Sequence, residues 1–307
     1  MRLFRMLFAA VAAVLICSAG AAAAPAATAP GAAGAAVVRE LAPGVYAFVG
    51  KDGATNSGFV VTDEGVVVID TQGPRELALE LKERIREVTA RPVIYVINTH
   101  YHGDHTFGNQ YFREARAIIA HEETRRTLKE SDRAHRTRFK KFFGEESLVG
   151  FNPTLPDLTF TERLTLRVGG RVFVLIHTPV AHTRGDVYVH MPAEGVVFAG
   201  DVLYKGRLPY LGEGDTAGAV AALDGLLATG AGVFLPGHGE VAGREDVLAY
   251  RGYLTKLVAE VERLAAEGKT MEQVTEEIEL PEYSGYLMYD RWLGQNAGAV
   301  YREITGK

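Results

Sequence analysis

Thr99-His100-Tyr101-His102-Gly103-Asp104-His105 is the stretch from which the rest of this chain is read. Three imidazoles and a carboxylate crowd into it, directly after the apolar run Val93-Ile94-Tyr95-Val96-Ile97. A short apolar run of this kind predicts a buried strand, so the polar cluster lies just past a strand's end. Imidazole nitrogen and carboxylate oxygen are good ligands for zinc and related ions. Residues two apart on an extended segment point to the same side, so His100 and His102 can reach one metal together. Gly103 permits a sharp turn, which can aim Asp104 and His105 elsewhere. The plain alternative is a set of surface histidines after a strand, and the density of ligand types argues against it.

Working outward, three more ligand types stand alone at strand-to-loop junctions. His182 lies in Ala181-His182-Thr183-Arg184-Gly185-Asp186, Asp201 follows Phe198-Ala199-Gly200, and His238 lies in Leu235-Pro236-Gly237-His238-Gly239. Singly, each reads as a cap or turn residue. Jointly with the first cluster they predict a metal centre. The segments around them alternate in type. Runs at 45–49, 58–62 and 66–70, separated by Asp52-Gly53 and Glu64-Gly65, predict a β-meander. Leu77, Leu81, Ile85 and Val88 form one apolar helix face after Pro74. Further strands are predicted at 164–168, 172–176, 187–190, 196–198 and 233–235, with helices at 216–228 and along Val247, Tyr250, Leu254, Leu257, Val261 and Leu264. Strands and helices mix without strict βαβ alternation. That order predicts an α/β fold of two sheets with helices outside.

Composition narrows the partners. The chain has 307 residues, a formal net charge of -5, 47% hydrophobic and 23% charged residues, an ordinary globular balance. Mild acidity argues against nucleic acid, which wants a basic face. Arg2 and Arg5 precede an apolar run from Met6 to about Ala24, followed by Ala24-Pro25-Ala26. This predicts a secretory signal peptide at 1–26, with an uncleaved membrane anchor as the alternative. A flexible lead-in of Ala, Pro, Gly and one Thr follows at 27–36, then one folded domain at 37–307. Cys17, the only cysteine, falls inside the signal, so the mature chain has no thiol nucleophile and no disulfide. The expectation is a secreted or periplasmic protein with a small-molecule substrate, no nucleic-acid partner and no stable membrane insertion after cleavage. The oligomeric state stays open.

Residues 121–143 stand apart. Arg125, Arg126, Lys129, Arg133, Arg136, Arg138, Lys140 and Lys141 accompany Phe139, Phe142 and Phe143, and Glu122, Glu123, Glu130 and Asp132 are interleaved. They predict a helical insertion at about 121–150, ended by the two prolines between Asn152 and Asp157. It is either a lid that attracts anions or a solvated helix, and the interleaved signs favour the solvated helix.

The pattern H-x-H-x-D-H at 100–105, then His182, then Asp201 after Ala-Gly, then His238 in a Pro-Gly-His-Gly turn resembles the metallo-β-lactamase superfamily over roughly residues 45–241. The resemblance implies an αββα sandwich, two mixed sheets flanked by helices, with metals at one edge. It implies that His100, His102 and His182 hold a first metal, that Asp104, His105 and His238 hold a second, and that Asp201 bridges them. The metals implied are two zinc ions, with iron or manganese as alternatives. The activity implied is that of a dinuclear hydrolase in which a metal-bridging hydroxide attacks an ester, thioester, lactone or amide-type substrate, with Asp104 as the catalytic carboxylate. True β-lactamases carry cysteine or serine where this chain has Asp201, which weakens β-lactam hydrolysis as a reading without removing it. His102 in place of glutamate disfavours the flavodiiron branch. A mononuclear iron dioxygenase, or a metal-holding partner of a periplasmic oxidation system, is the alternative of another class. The chain is similar to periplasmic members linked to sulfur oxidation and quinoproteins. Tyr204, Lys205, Arg207 and Tyr210 follow Asp201 closely, and Lys205, Arg207 and Tyr210 are the candidate substrate residues, the cations suiting a carboxylate or sulfonate. Asp70 ends a strand near the same edge, either to orient a ligand histidine or as a simple turn or cap.

Overall fold

Side-chain alternation along β4 (Val66–Ile69) explains the layering. Val66 and Val68 turn outward into an apolar cluster with Leu81 and Ile85 of helix α1 (Arg75–Val88), while Val67 and Ile69 turn inward toward Phe173, Leu175 and Phe198 of a second sheet. A strand buried on both faces needs apolar residues at every position, and this one has them. The computed structural model describes residues 36–306. The signal peptide read at 1–26, Cys17 within it, and the lead-in as far as residue 35 lie outside the described residues.

The first sheet runs β1 (Val37–Ala42), β2 (Val45–Val49), β3 (Ser57–Val61), β4, β5 (Val93–Ile97), β6 (Ala117–His121) and β7 (Leu158–Phe160) in spatial order. Its first four strands pair antiparallel and the later ones parallel. The second sheet has the order β12 (Val233–His238), β11 (Val196–Tyr204), β10 (Val187–Met191), β9 (Arg171–His177) and β8 (Arg163–Val168), antiparallel except for the β11–β12 pair. Gly58 of β3 sits where an added Cβ would fall 2.2 Å from the Phe198 ring, so this close approach of the sheets requires glycine. The one-turn α2 (Gly103–Thr106) follows β5, and helices α5 (Thr216–Ala228), α6 (Arg244–Ala266), α7 (Met271–Glu277) and α8 (Tyr289–Thr305) cover the outer face of the second sheet, burying Leu223, Leu254, Leu257, Val274, Trp292 and Val300 in one cluster with Val197, Ala199 and Phe234. Each fully buried Phe or Leu contributes about 1.5–3 kcal/mol. The result is the expected αββα sandwich.

The differences from the sequence reading have local causes. β1 and β7 lie at the two edges of the first sheet and are half exposed, so they carry little apolar signal. β6 is only five residues long and abuts the charged stretch. β11 continues to Tyr204 because Gly200, at φ +54°, bends the strand through Asp201 while it keeps pairing with β12. The crossover from β6 to β7 carries α3 (Glu122–Glu130) and α4 (Asp132–Phe143). α4 is not simply solvated. Phe139 is buried against Phe107 and lines the cavity at the ligand loops.

Candidate metal centre

Every ligand loop is pinned by buried hydrogen bonds before any ion is considered. Asp70 accepts from Thr99 N (2.8 Å) and Thr99 Oγ1 (2.7 Å), and its Oδ2 lies 2.8 Å from His105 Nδ1. Asp70 (φ +59°) and Gln72 (φ +67°) both sit in the left-handed region, a strained backbone that such bonds hold in place. Asn98 and Asn109 exchange amide bonds behind the motif, at 3.0 and 2.9 Å. Asp186 accepts from His182 N (2.6 Å), Thr183 N (2.7 Å) and Thr183 Oγ1 (2.5 Å), which shapes the His182 loop. A Cβ at Gly237 would fall 1.9 Å from Asp201 Oδ1, so only glycine lets these two junctions meet.

These loops bring together every metal-ligating candidate read from the sequence. His100, His102, His182 and Asp201 present ligand atoms within 4.8 Å of one another, and so do Asp104, His105 and His238. Asp201 faces both groups: Oδ2 lies 3.2 Å from His182 Nε2, 3.8 Å from His100 Nε2 and 3.5 Å from His238 Nε2, and Oδ1 lies 3.1 Å from His105 Nε2. Each imidazole has one nitrogen engaged on its outer side. The contacts are His100 Nδ1 with Thr99 Oγ1 (3.1 Å), His102 Nε2 with Glu213 Oε2 (3.4 Å), His105 Nδ1 with Asp70, His182 Nδ1 with the Tyr210 carbonyl (3.1 Å) and His238 Nδ1 with the Gly53 carbonyl (3.1 Å). The other nitrogen of each ring points inward. A metal-ligating histidine is held in this way.

The electrostatics suit cations. Burial pushes His100 and His102 well below the ordinary imidazole range and His182 down to about 4, so these rings are neutral with lone pairs available. At His105 burial works against charge, but the carboxylates of Asp201, Asp104 and Asp70 outweigh it and raise the ring's pKa. Burial opposes charge on Asp201 as well, and His238, His105, His182 and His100 overcome it, holding the carboxyl far below its usual range. His100 Nε2, His105 Nε2 and Asp201 Oδ1 are buried without a hydrogen bond. Orphaned buried polar atoms are costly, and these three lie within the two ligand groups, where divalent ions would satisfy them.

Beside the group lies a cavity of about 330 Å³, within the size range of small-ligand sites. Arg207 and Tyr210 line it, and so does Tyr204, whose hydroxyl donates to Asp201 Oδ2 at 2.5 Å. Lys205 does not. It lies in the bend that follows β11, and its ammonium turns away to Asp246 (2.9 Å) and the Val241 carbonyl (3.0 Å). Sequence reasoning missed Thr55, which donates to Asp104 Oδ2 at 2.7 Å, as well as Glu213 and Met288. No motif marks them. Arg138 and Phe139 were visible only as members of a charged run.

The description "Metallo-beta-lactamase superfamily" belongs to a family model that matches residues 50–238. The chain belongs to this superfamily. Among its superfamily relatives is a linear primary-alkylsulfatase from Pseudomonas sp. (strain ATCC 19151), 23% identical over 275 residues, covering 74% of this chain and 51% of the relative. An acyl-coenzyme A thioesterase from Homo sapiens is 30% identical over 213 residues, covering 62% of this chain and 75% of that protein. A solved metallo-beta-lactamase from Pontibacter korlensis superposes with a TM-score of 0.60 at 21% identity, over 72% of this chain and 99% of that one. The chain spans between half and three-fifths of the length of the first curated relatives it matches.

Proposed function

We propose that this chain is a metal-dependent hydrolase that holds two divalent ions, zinc foremost, and cleaves an ester, thioester, lactone or amide-type bond in a small anionic molecule. The carrying observation is the gathering of five imidazoles and two carboxylates into two adjoining ligand groups that share the Asp201 carboxylate, each ring engaged from behind. His100, His102 and His182 would hold the first ion and Asp104, His105 and His238 the second, with Asp201 between them. Bound divalent ions would lower the pKa of a water and polarise the substrate's acceptor group.

The chain's own residues do the rest. Asp104 lines the cavity, is oriented by Thr55 Oγ1, and receives the proton that the attacking water loses. Tyr204 holds Asp201 in place through its hydroxyl. Arg207 lines the cavity and is tied to the Gly53 carbonyl through Nη1 (2.6 Å), which places a cation where it suits a substrate carboxylate or sulfonate. Tyr210, Phe139, Leu77 and Met288 offer apolar contact to the remainder of the substrate. The signal read at 1–26 would place this activity in the periplasm or outside the cell.

A second reading is hydrolysis of a sulfate ester. It is favoured by the alkylsulfatase match, which covers more of this chain than the thioesterase match does. The test is a panel offered to one zinc-loaded sample: a chromogenic ester, a thioester, a lactone, a nitrocefin-type β-lactam and an alkyl sulfate. Turnover of an acyl substrate that disappears in Asp104→Ala supports the first reading. Sulfate release alone supports the second, and no turnover of any of them contradicts both.

A further inference from the structure

The loop between β11 and α5 touches the metal centre at two points. The Tyr210 carbonyl oxygen lies 3.1 Å from His182 Nδ1, and Glu213 Oε2 lies 3.4 Å from His102 Nε2. The same two residues meet α4. Glu213 Oε1 pairs with Arg138 Nη1, and the Arg138 guanidinium carbon stands 4.2 Å above the Tyr210 ring. One arginine of the β6–β7 crossover therefore rests on both residues that orient two imidazoles of the first ligand group.

The loop has little freedom to move independently of that group. Leu211 N donates to Asn296 Oδ1 (3.1 Å) and Asp215 N to the Ala181 carbonyl (3.0 Å), so the loop is sewn to α8 on one side and to the His182 loop on the other. An added Cβ at Gly214 would fall 1.8 Å from the Ala181 oxygen. Glu213 is held at the tip of this segment, with its side chain about one-third exposed.

We propose that Glu213 is a positioning residue that couples the placement of α4 to the orientation of His102, through Arg138. The proposal rests on the metal reading above. A carboxylate facing Nε2 keeps the proton there and leaves the lone pair on Nδ1. Nδ1 is the nitrogen aimed at the group, 2.9 Å from His182 Nε2. Arg138 in turn holds Glu213 over the ring. Without Arg138 the carboxylate is free to swing to solvent. Without Glu213 the ring loses its outer contact and faces an uncompensated cation. A substrate that displaces α4 would thus be felt at the first ion through Glu213, a route the second group lacks, since its ligands have outer contacts of their own to Asp70, Thr55 and the Gly53 carbonyl.

The test is zinc affinity by chelator competition on the full-length protein. It is run in a His238→Ala background to isolate the first group and in a His100→Ala background to isolate the second. Glu213→Ala should weaken the first group about ten- to hundredfold, the usual cost of losing an outer contact to a ligand. Arg138→Ala should weaken it by a smaller factor although it touches no ligand, and the double variant should be no weaker than Glu213→Ala alone. The second group should be unchanged throughout. Glu213→Gln keeps an acceptor for His102 but loses the charge that holds Arg138, and should fall between wild type and Glu213→Ala. If Glu213→Ala lowers both groups, a general folding defect is indicated and the graded Glu213→Gln effect decides. Unchanged first-group affinity in Glu213→Ala, or effects of the two single variants that multiply, would overturn the coupling. Failure of the parent chain to take up zinc would instead refute the metal reading, before any variant is compared.

Discussion

The strand ends that carry the ligands and the β6–β7 crossover beside them are built by opposite means. At the strand ends, buried carboxylates and amides fix the backbone: Asp70 on the Thr99 loop, Asp186 on the His182 loop, and the Asn98–Asn109 pair behind them. In the crossover, exposed ion pairs such as Arg126 with Glu123 and Glu130, and Lys140 with Glu145, run along the surface, and the buried ring of Phe139 wedges the helix against the ligand loops. The first kind of construction tolerates almost no displacement, since a buried group that loses its partner costs the full desolvation penalty. The second rests on exposed pairs that cost little to lose. The ligand geometry is thus set by the sheets, and part of the wall beside it by a crossover that is held more lightly.

The sharpest break in this contrast should come from Asp201→Ala. Asp201 faces both ligand groups, so the loss should exceed the roughly 100-fold that an outer-contact mutation costs, read as zinc content after dialysis. Next comes Asp70→Ala, which strands Thr99 and His105 in the core. It should cost about 1–3 kcal/mol or more in chemical denaturation and weaken metal binding at the His105 group, with Thr99 backbone protection falling in hydrogen exchange. Phe139→Ala should cost less than full core loss, up to roughly 1.5–3 kcal/mol, and should raise KM while leaving the zinc content at its wild-type value. Smallest of all is Arg126→Ala, which removes an exposed pair and should change the melting curve by no more than about 0.5 kcal/mol. A crossover variant that empties the second ligand group, or an Asp70→Ala protein as stable as its parent, would erase the distinction between the two regions.

How much of this was legible in the sequence follows the same division. His100, His102, Asp104 and His105 could be read together because they share one loop. His182, Asp201 and His238 could be added because each closes an apolar strand. Asp70 was visible as a strand-end carboxylate, although its turn or cap role was as good a reading until Thr99 and His105 were seen against it. Thr55 and Glu213 were not legible. Each acts across a long stretch of chain, on Asp104 and His102 respectively, and neither belongs to a pattern. Lys205 was misread because proximity in sequence to Asp201 says nothing about where the bend after β11 turns its ammonium. The crossover's solvated, charged surface was legible because charges are counted easily, whereas the burial of Phe139 was not, since it depends on a surface made by Phe107 and Gly103 from another part of the chain.

The most direct test of the account is the metal content of the purified, dialysed protein, measured by elemental analysis alongside hydrolysis in the same sample. Two zinc ions per chain, with turnover that is lost on chelation and restored by zinc, is the predicted result. One iron per chain, or a fully folded protein that binds no divalent ion at all, would contradict the two-ion hydrolase.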